Sequence, residues 1–147
     1  MTKLLNDGIE KQIGELFARL KEPVHIILFA SQQNSEDSSE ARQLAEEVVA
    51  LSDKLSLENR DIHADAALAD QYHVTQAPAM VIAAMDGEVV TDRGIRMLGI
   101  PSGHDFSAFI HDLLLVSSRD SGLSVGTREY LKTIEKPVHL QVFVTPT

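Results

Sequence analysis

The chain has 147 residues with a formal net charge of −9, 44% hydrophobic and 5% aromatic residues, and neither cysteine nor tryptophan. The length suits one domain with a real core, and no apolar run is long enough to span a bilayer. The acidic balance disfavours nucleic acid and anionic membranes, and the lack of cysteine excludes disulfides, thiolate metal sites and thiol chemistry by this chain.

Met1 to Gly8 is polar and lacks the apolar heart of a signal peptide, so a cytoplasmic protein is expected. Leu5, Ile9, Ile13, Leu16, Phe17 and Leu20 then recur at helical spacing. This helix must stop before Pro23, because the residue ahead of proline is pushed out of the α region. Val24 to Ala30 is almost continuously apolar and reads as a strand buried on both faces, with His25 as a hydrogen-bonded structural histidine. Ser31 to Ser39 is turn-like. Ala41, Leu44, Ala45, Val48, Leu51 and Leu55 mark a long helix with Ser35 as N-cap, or Asp37 with Glu40 as an alternative cap pair.

A short strand at residues 57–62 follows, so strand, helix and strand predict a parallel pair with a right-handed crossover. Residues 65–73 predict a short helix carrying Leu68 and Tyr72. Met80 to Met85 and Val89-Val90 flank Asp86-Gly87, a two-residue hairpin signal. Ser102 and Asp105 have the spacing of a capping arrangement ahead of a helix with Phe106, Phe109, Ile110, Leu113 and Leu114. The sum is an α/β fold with a four-stranded mixed sheet and flanking helices.

The chain repeats itself. Lys21-Glu22-Pro23-Val24-His25-Ile26-Ile27-Leu28-Phe29 returns as Glu135-Lys136-Pro137-Val138-His139-Leu140-Gln141-Val142-Phe143, and Leu16, Phe17 and Leu20 align with Tyr130, Leu131 and Ile134, at a constant offset of 114 residues. Residues 1–117 therefore read as one unit. Residues 118–147 read as a linker, helix and first strand of a second. A lone helix and strand cannot bury a core. The expectation is therefore that the chain is a fragment, or that the strand Val138–Val144 adds to a sheet edge, on the first unit or on another copy in a homodimer.

Acid is concentrated between residues 35 and 74, where ten carboxylates meet only Arg42, Lys54 and Arg60. A solvated pair of helix faces accounts for this, and steering of a basic partner is the functional alternative.

The first strand with its loop and helix, Ala77-Pro78-Ala79, the segment Leu98-Gly99-Ile100-Pro101-Ser102-Gly103-His104-Asp105-Phe106, and the ending Val142-Phe143-Val144-Thr145-Pro146-Thr147 resemble a tandem thioredoxin-fold module. Such a module forms the N-terminal domain of the flavoprotein component of alkyl hydroperoxide reductase and of related thioredoxin-reductase-like flavoenzymes. It also makes up the glutaredoxin-like protein disulfide oxidoreductases. The resemblance spans the whole chain. It implies a Cys-x-x-Cys between the first strand and the long helix, where the helix N-terminus stabilises thiolate. Here Ser35-Glu36-Asp37-Ser38 fall on those positions, and serine neither forms a disulfide nor ionises near neutral pH. Pro78 resembles the fold's cis-proline, which faces the redox loop.

The resemblance further implies a redox-active pair in the second unit, after Thr147. It implies FAD and NADH or NADPH in a parent flavoenzyme, and as partners a flavin-containing reductase module and a peroxiredoxin or other thiol protein. The expected function is the redox-inert part of a disulfide reductase that relays electrons. Two other readings stand beside it: a free-standing cysteine-free adaptor that binds an extended peptide near Pro78, and an active oxidoreductase whose cysteines were replaced by serine or trimmed away.

Other constellations are weaker. His104-Asp105 reads as a cap and a packed imidazole. Ser35, Ser38, His25 and Asp37 lack a Gly-x-Ser-x-Gly elbow for hydrolysis. His63 and His73, near Asp61, Asp65 and Asp70, have no recognised metal spacing. Met80, Met85 and Met97 read as core filler.

Overall fold

The computed structural model describes residues 2–145. Helix α1 spans Asp7–Phe17, strand β1 Val24–Ala30, α2 Ser35–Val49, β2 Leu55–Asp61, α3 Ala66–Gln71, β3 Ala79–Asp86, β4 Val89–Leu98, α4 His104–Ser118 and α5 Val125–Lys132. The sheet order is β2-β1-β3-β4, with β1 parallel to β2 and antiparallel to β3, and β3 antiparallel to β4.

The apolar run of β1 is buried along its whole length because helices cover both faces. Alternation divides it between two cores. Val24, Ile26 and Leu28 pack with Ile13 and Phe17 of α1, Leu44 and Val48 of α2, and Phe109 and Leu113 of α4. Ile27 and Phe29 face the other way, toward Ala69 of α3, Tyr72 and Val74. Asn6 starts α1 by accepting the Ile9 N–H at 2.9 Å. Leu5 and Leu20 lie outside the helix, yet both enter the larger core.

Three local signals resolve differently from the sequence expectation. The N-cap of α2 is Asn34, not Ser35, and neither it nor the Asp37–Glu40 pair closes a side-chain cap. The β3–β4 turn is Gly87-Glu88, one residue later than Asp86-Gly87, since Asp86 still pairs with Val89. Gly87 takes φ +66°, the left-handed conformation that the first position of a type II′ turn requires. The N-cap of α4 is Gly103, at φ 59° and ψ −126°. That backbone suits glycine and leaves Ser102 to serve through its carbonyl, which accepts the Asp105 N–H at 3.2 Å.

The C-terminal segment also departs from expectation. α5 forms and is capped by Ser124, but none of its residues is buried. Residues 137–145 carry no regular secondary structure. Val138, Leu140 and Val142 stand 65%, 86% and 85% exposed, and the four-stranded sheet takes in no part of Val138–Val144. A strand needs a neighbour to satisfy its ladder of N–H and C=O groups, and the four-stranded sheet supplies none to this segment. Pro146 and Thr147, the end of the expected Thr-Pro-Thr signature, lie outside the described residues.

Candidate functional site

The C-terminal end of β1 opens into Ser31-Gln32-Gln33-Asn34, and α2 begins at Ser35. Ser35 is exposed at the first helical position. Ser38, one turn on, is only 4% exposed. Its hydroxyl accepts the Ser31 N–H at 3.0 Å and lies 3.3 Å from the Ser31 carbonyl, to which it donates. The buried serine is therefore a staple across its own loop. Its proton is committed to a backbone acceptor.

Pro78 is buried at the foot of β3, and the Ala77–Pro78 peptide bond is cis. The loop meets this segment through Asn34, whose Nδ2 donates to the Ala77 carbonyl at 3.0 Å. Asn34 is the N-cap of α2 by position, yet it spends its side chain on the neighbouring loop. Sequence reading missed this residue. Its one signal was an Asx residue directly ahead of the helix.

A cleft of about 270 Å³ lies beside the loop, lined by Ala30, Ser31, Gln32, Ser35, Ser38, Ser39, Arg42 and Asp61. Glu36 and Asp37 occupy the first turn of α2 and oppose the positive end of its dipole. The loop and the start of α2 thus present hydroxyls and carboxylates, and the chain has no thiol.

The remaining candidates do not converge here. His25 sits at the far end of β1, about 20 Å away at 3.3 Å per residue, so a Ser–His hydrolase site is not assembled. Its Nδ1 meets Ser56 Oγ at 2.7 Å and its Nε2 meets Glu58 Oε2 at 2.9 Å, the structural role expected. Glu58 also pairs with Arg60. The His25 hydrogen bond, helped by Arg60, holds the Glu58 carboxyl below its ordinary range against the opposing effect of burial.

His104 is exposed at the first position of α4, so its imidazole is not packed. Asp61 accepts the backbone N–H groups of Ala64 and His63, which lower its pKa. Among the described residues no three His, Asp or Glu side chains gather as a metal site.

No family model matches the chain. It is 25% identical over 140 residues to the F component of alkyl hydroperoxide reductase from Pseudomonas aeruginosa, a match covering 95% of this chain and 24% of that protein. The chain thus spans about a quarter of the length of the curated relatives it matches. Among solved structures it is similar to the NTD_N/C domain of alkylhydroperoxide reductase AhpF from Enterococcus faecalis, with TM-score 0.76 and 24% identity over 85% of this chain and 58% of that one. A protein disulfide oxidoreductase from Aeropyrum pernix gives TM-score 0.72 and 24% identity, over 87% of this chain and 54% of that one. These matches bear out the resemblance read from the sequence, and the fold is thioredoxin-like.

Proposed function

We propose that this chain is the redox-inert N-terminal thioredoxin-fold portion of a disulfide reductase related to the alkyl hydroperoxide reductase AhpF. In this reading the whole protein works in the cytoplasm. It relays electrons from a flavin and nicotinamide module, through a Cys-x-x-Cys in a second unit, to a peroxiredoxin or another thiol protein. Residues 1–117 are the first unit, and residues 118–147 lead into the second.

The observation that carries the reading is Ser38. It stands one turn into α2, at the position to which the family resemblance assigns a redox thiol, and it is buried and bonded to Ser31 as a structural element. The unit can then serve the relay only by support, completing a sheet and presenting a docking face. FAD and NADH or NADPH would be held elsewhere. The loop between β1 and α2 lacks the glycines that let a backbone approach a pyrophosphate at a helix N-terminus.

Intact mass and absorbance of the protein purified from its natural source test the reading. The expected product is much heavier than the 16.2 kDa of this chain, carries a Cys-x-x-Cys after Thr147 and shows flavin absorbance. A natural product of 16.2 kDa overturns it.

A further inference from the structure

Helix α5 stands clear of both cores, since none of its residues is buried. Its position therefore depends on the segment that joins it to α4. Asp120-Ser121-Gly122 has the composition of a flexible tether, yet side chains fasten this segment at both ends.

The first fastening is Arg119, the C-cap of α4, held at φ 55° in the left-handed region that L residues rarely adopt. Acceptors from three parts of the fold over-determine that conformation. Its Nη1 donates to the Val116 carbonyl at 2.7 Å. Its Nη2 lies 2.9 Å from the Pro23 carbonyl ahead of β1, 3.1 Å from the Met85 carbonyl of β3 and 2.9 Å from the Asp86 carboxylate. The next residue carries the tie forward. Asp120 Oδ1 accepts the Gly122 N–H at 2.8 Å and Arg128 Nη2 at 2.6 Å, and Arg128 Nε donates to the Leu123 carbonyl at 2.8 Å. Ser124 then caps α5 by accepting the Thr127 N–H at 3.1 Å. Arg119 thus fastens the linker to the sheet, and Arg128 fastens α5 to the linker.

We infer that residues 119–128 form a polar elbow, in which Arg119 and the Asp120–Arg128 pair hold α5 in one direction relative to the four-stranded sheet, and that salt loosens it. Bonding rather than burial sets the direction. Arginine suits both ends because its guanidinium offers five donors in a rigid fork and reaches several acceptors at once. Arg119 is the firmer half, with its side chain 20% exposed against 42% for Arg128 and 53% for Asp120. The more exposed pair is the more strongly screened, so the elbow yields first on its α5 side. On the reading that α5 opens a second unit, such an elbow sets that unit's orientation at its root. The elbow itself belongs to this chain and stands or falls without a flavin.

Because the chain has no cysteine, Glu40→Cys in α2 and Tyr130→Cys in α5, both at exposed positions, place two spin labels and no others. Double electron–electron resonance on the full chain should give one narrow distance distribution at low salt. It should broaden at about 1 M salt, where the screening length is about 3 Å. Asp120→Ala and Arg128→Ala should each at least double the width, with circular dichroism unchanged. Asp120 lies outside α5, so its variant separates a loosened elbow from a melted helix. Arg128→Lys keeps the charge but not the fork and should give an intermediate width. A broad distribution with the linker unaltered, or a width that salt and both alanine variants leave unchanged, overturns the proposal. So does loss of helix content in both alanine variants, because melting of α5 would then account for the broadening.

Discussion

Asn34 Nδ2 lies 3.0 Å from the Ala77 carbonyl oxygen, tying the N-cap of α2 to the residue ahead of Pro78. The bond joins two loops separated by 43 positions in sequence. It also occupies a backbone acceptor that would otherwise face solvent. Asn34→Ala should cost about 0.5–1.5 kcal/mol, toward the lower end because Asn34 is exposed. Urea denaturation measures the cost, and amide exchange should quicken at residues 75–77. Unchanged stability and exchange would show the bond to be idle.

Ser38 makes a sharper prediction. Ser38→Ala strands the N–H of the buried Ser31 and should cost about 1–3 kcal/mol. The double change Ser35→Cys with Ser38→Cys should not yield insulin-reducing activity above background. Glu36 and Asp37 disfavour a thiolate at this helix start, and the second sulfur would be buried. Turnover comparable to a working thioredoxin would show instead that only the two thiols were missing.

Ser117 is fully buried in α4. Its hydroxyl accepts the Lys21 N–H at 2.8 Å and the Glu22 N–H at 3.1 Å and donates to the Glu22 carbonyl at 2.7 Å. One side chain thus satisfies the bend between α1 and β1. Ser117→Ala should cost about 1–3 kcal/mol, well above alanine substitution of an exposed serine such as Ser107, read as the shift in denaturation midpoint.

Glu58 and Asp112 should move stability in opposite directions with pH. The Glu58 carboxyl is held below its ordinary value of 4.5 by His25 and Arg60, so its contribution is complete above that value. It is lost as pH falls through the lower, folded-state value. Glu58→Gln should therefore reduce stability at pH 7 and flatten the acid limb of the melting-temperature profile.

Burial raises the Asp112 carboxyl above 3.8, with His111 partly offsetting it, so the native state holds that proton more tightly. Its favourable contribution is present below 3.8 and disappears as pH rises through the folded-state value. Asp112→Asn should raise the melting temperature at pH 7 and leave it unchanged at pH 3. A gain of equal size at both pH values would show that charge burial is not the cause.

The main elements were legible because their signals are local. The unbroken apolar run of Val24 to Ala30 needs burial on both faces, and β1 has those bounds. The cap and turn assignments were less legible because several polar residues compete at each boundary. Ser35, Asp37 and Asn34 can all start α2, and the choice fell to Asn34 because the chain enters the helix there from β1. The helix in the second copy of the repeat formed as α5, while Val138–Val144 did not become a strand, because a helix pairs its backbone within itself and a strand cannot.

By itself the sequence determined the absence of thiol chemistry, the order of the elements through α4, and the repeat that links Pro23-Val24-His25 to Pro137-Val138-His139. These depend on composition, periodicity and spacing, which a linear chain carries in full. Tertiary structure alone decided that Ser38 is a buried staple, that Asn34 meets Ala77, and that Ser117 closes a bend 95 residues away. Each is a contact between segments distant in sequence, and only the packed sheet and helices set which of them meet.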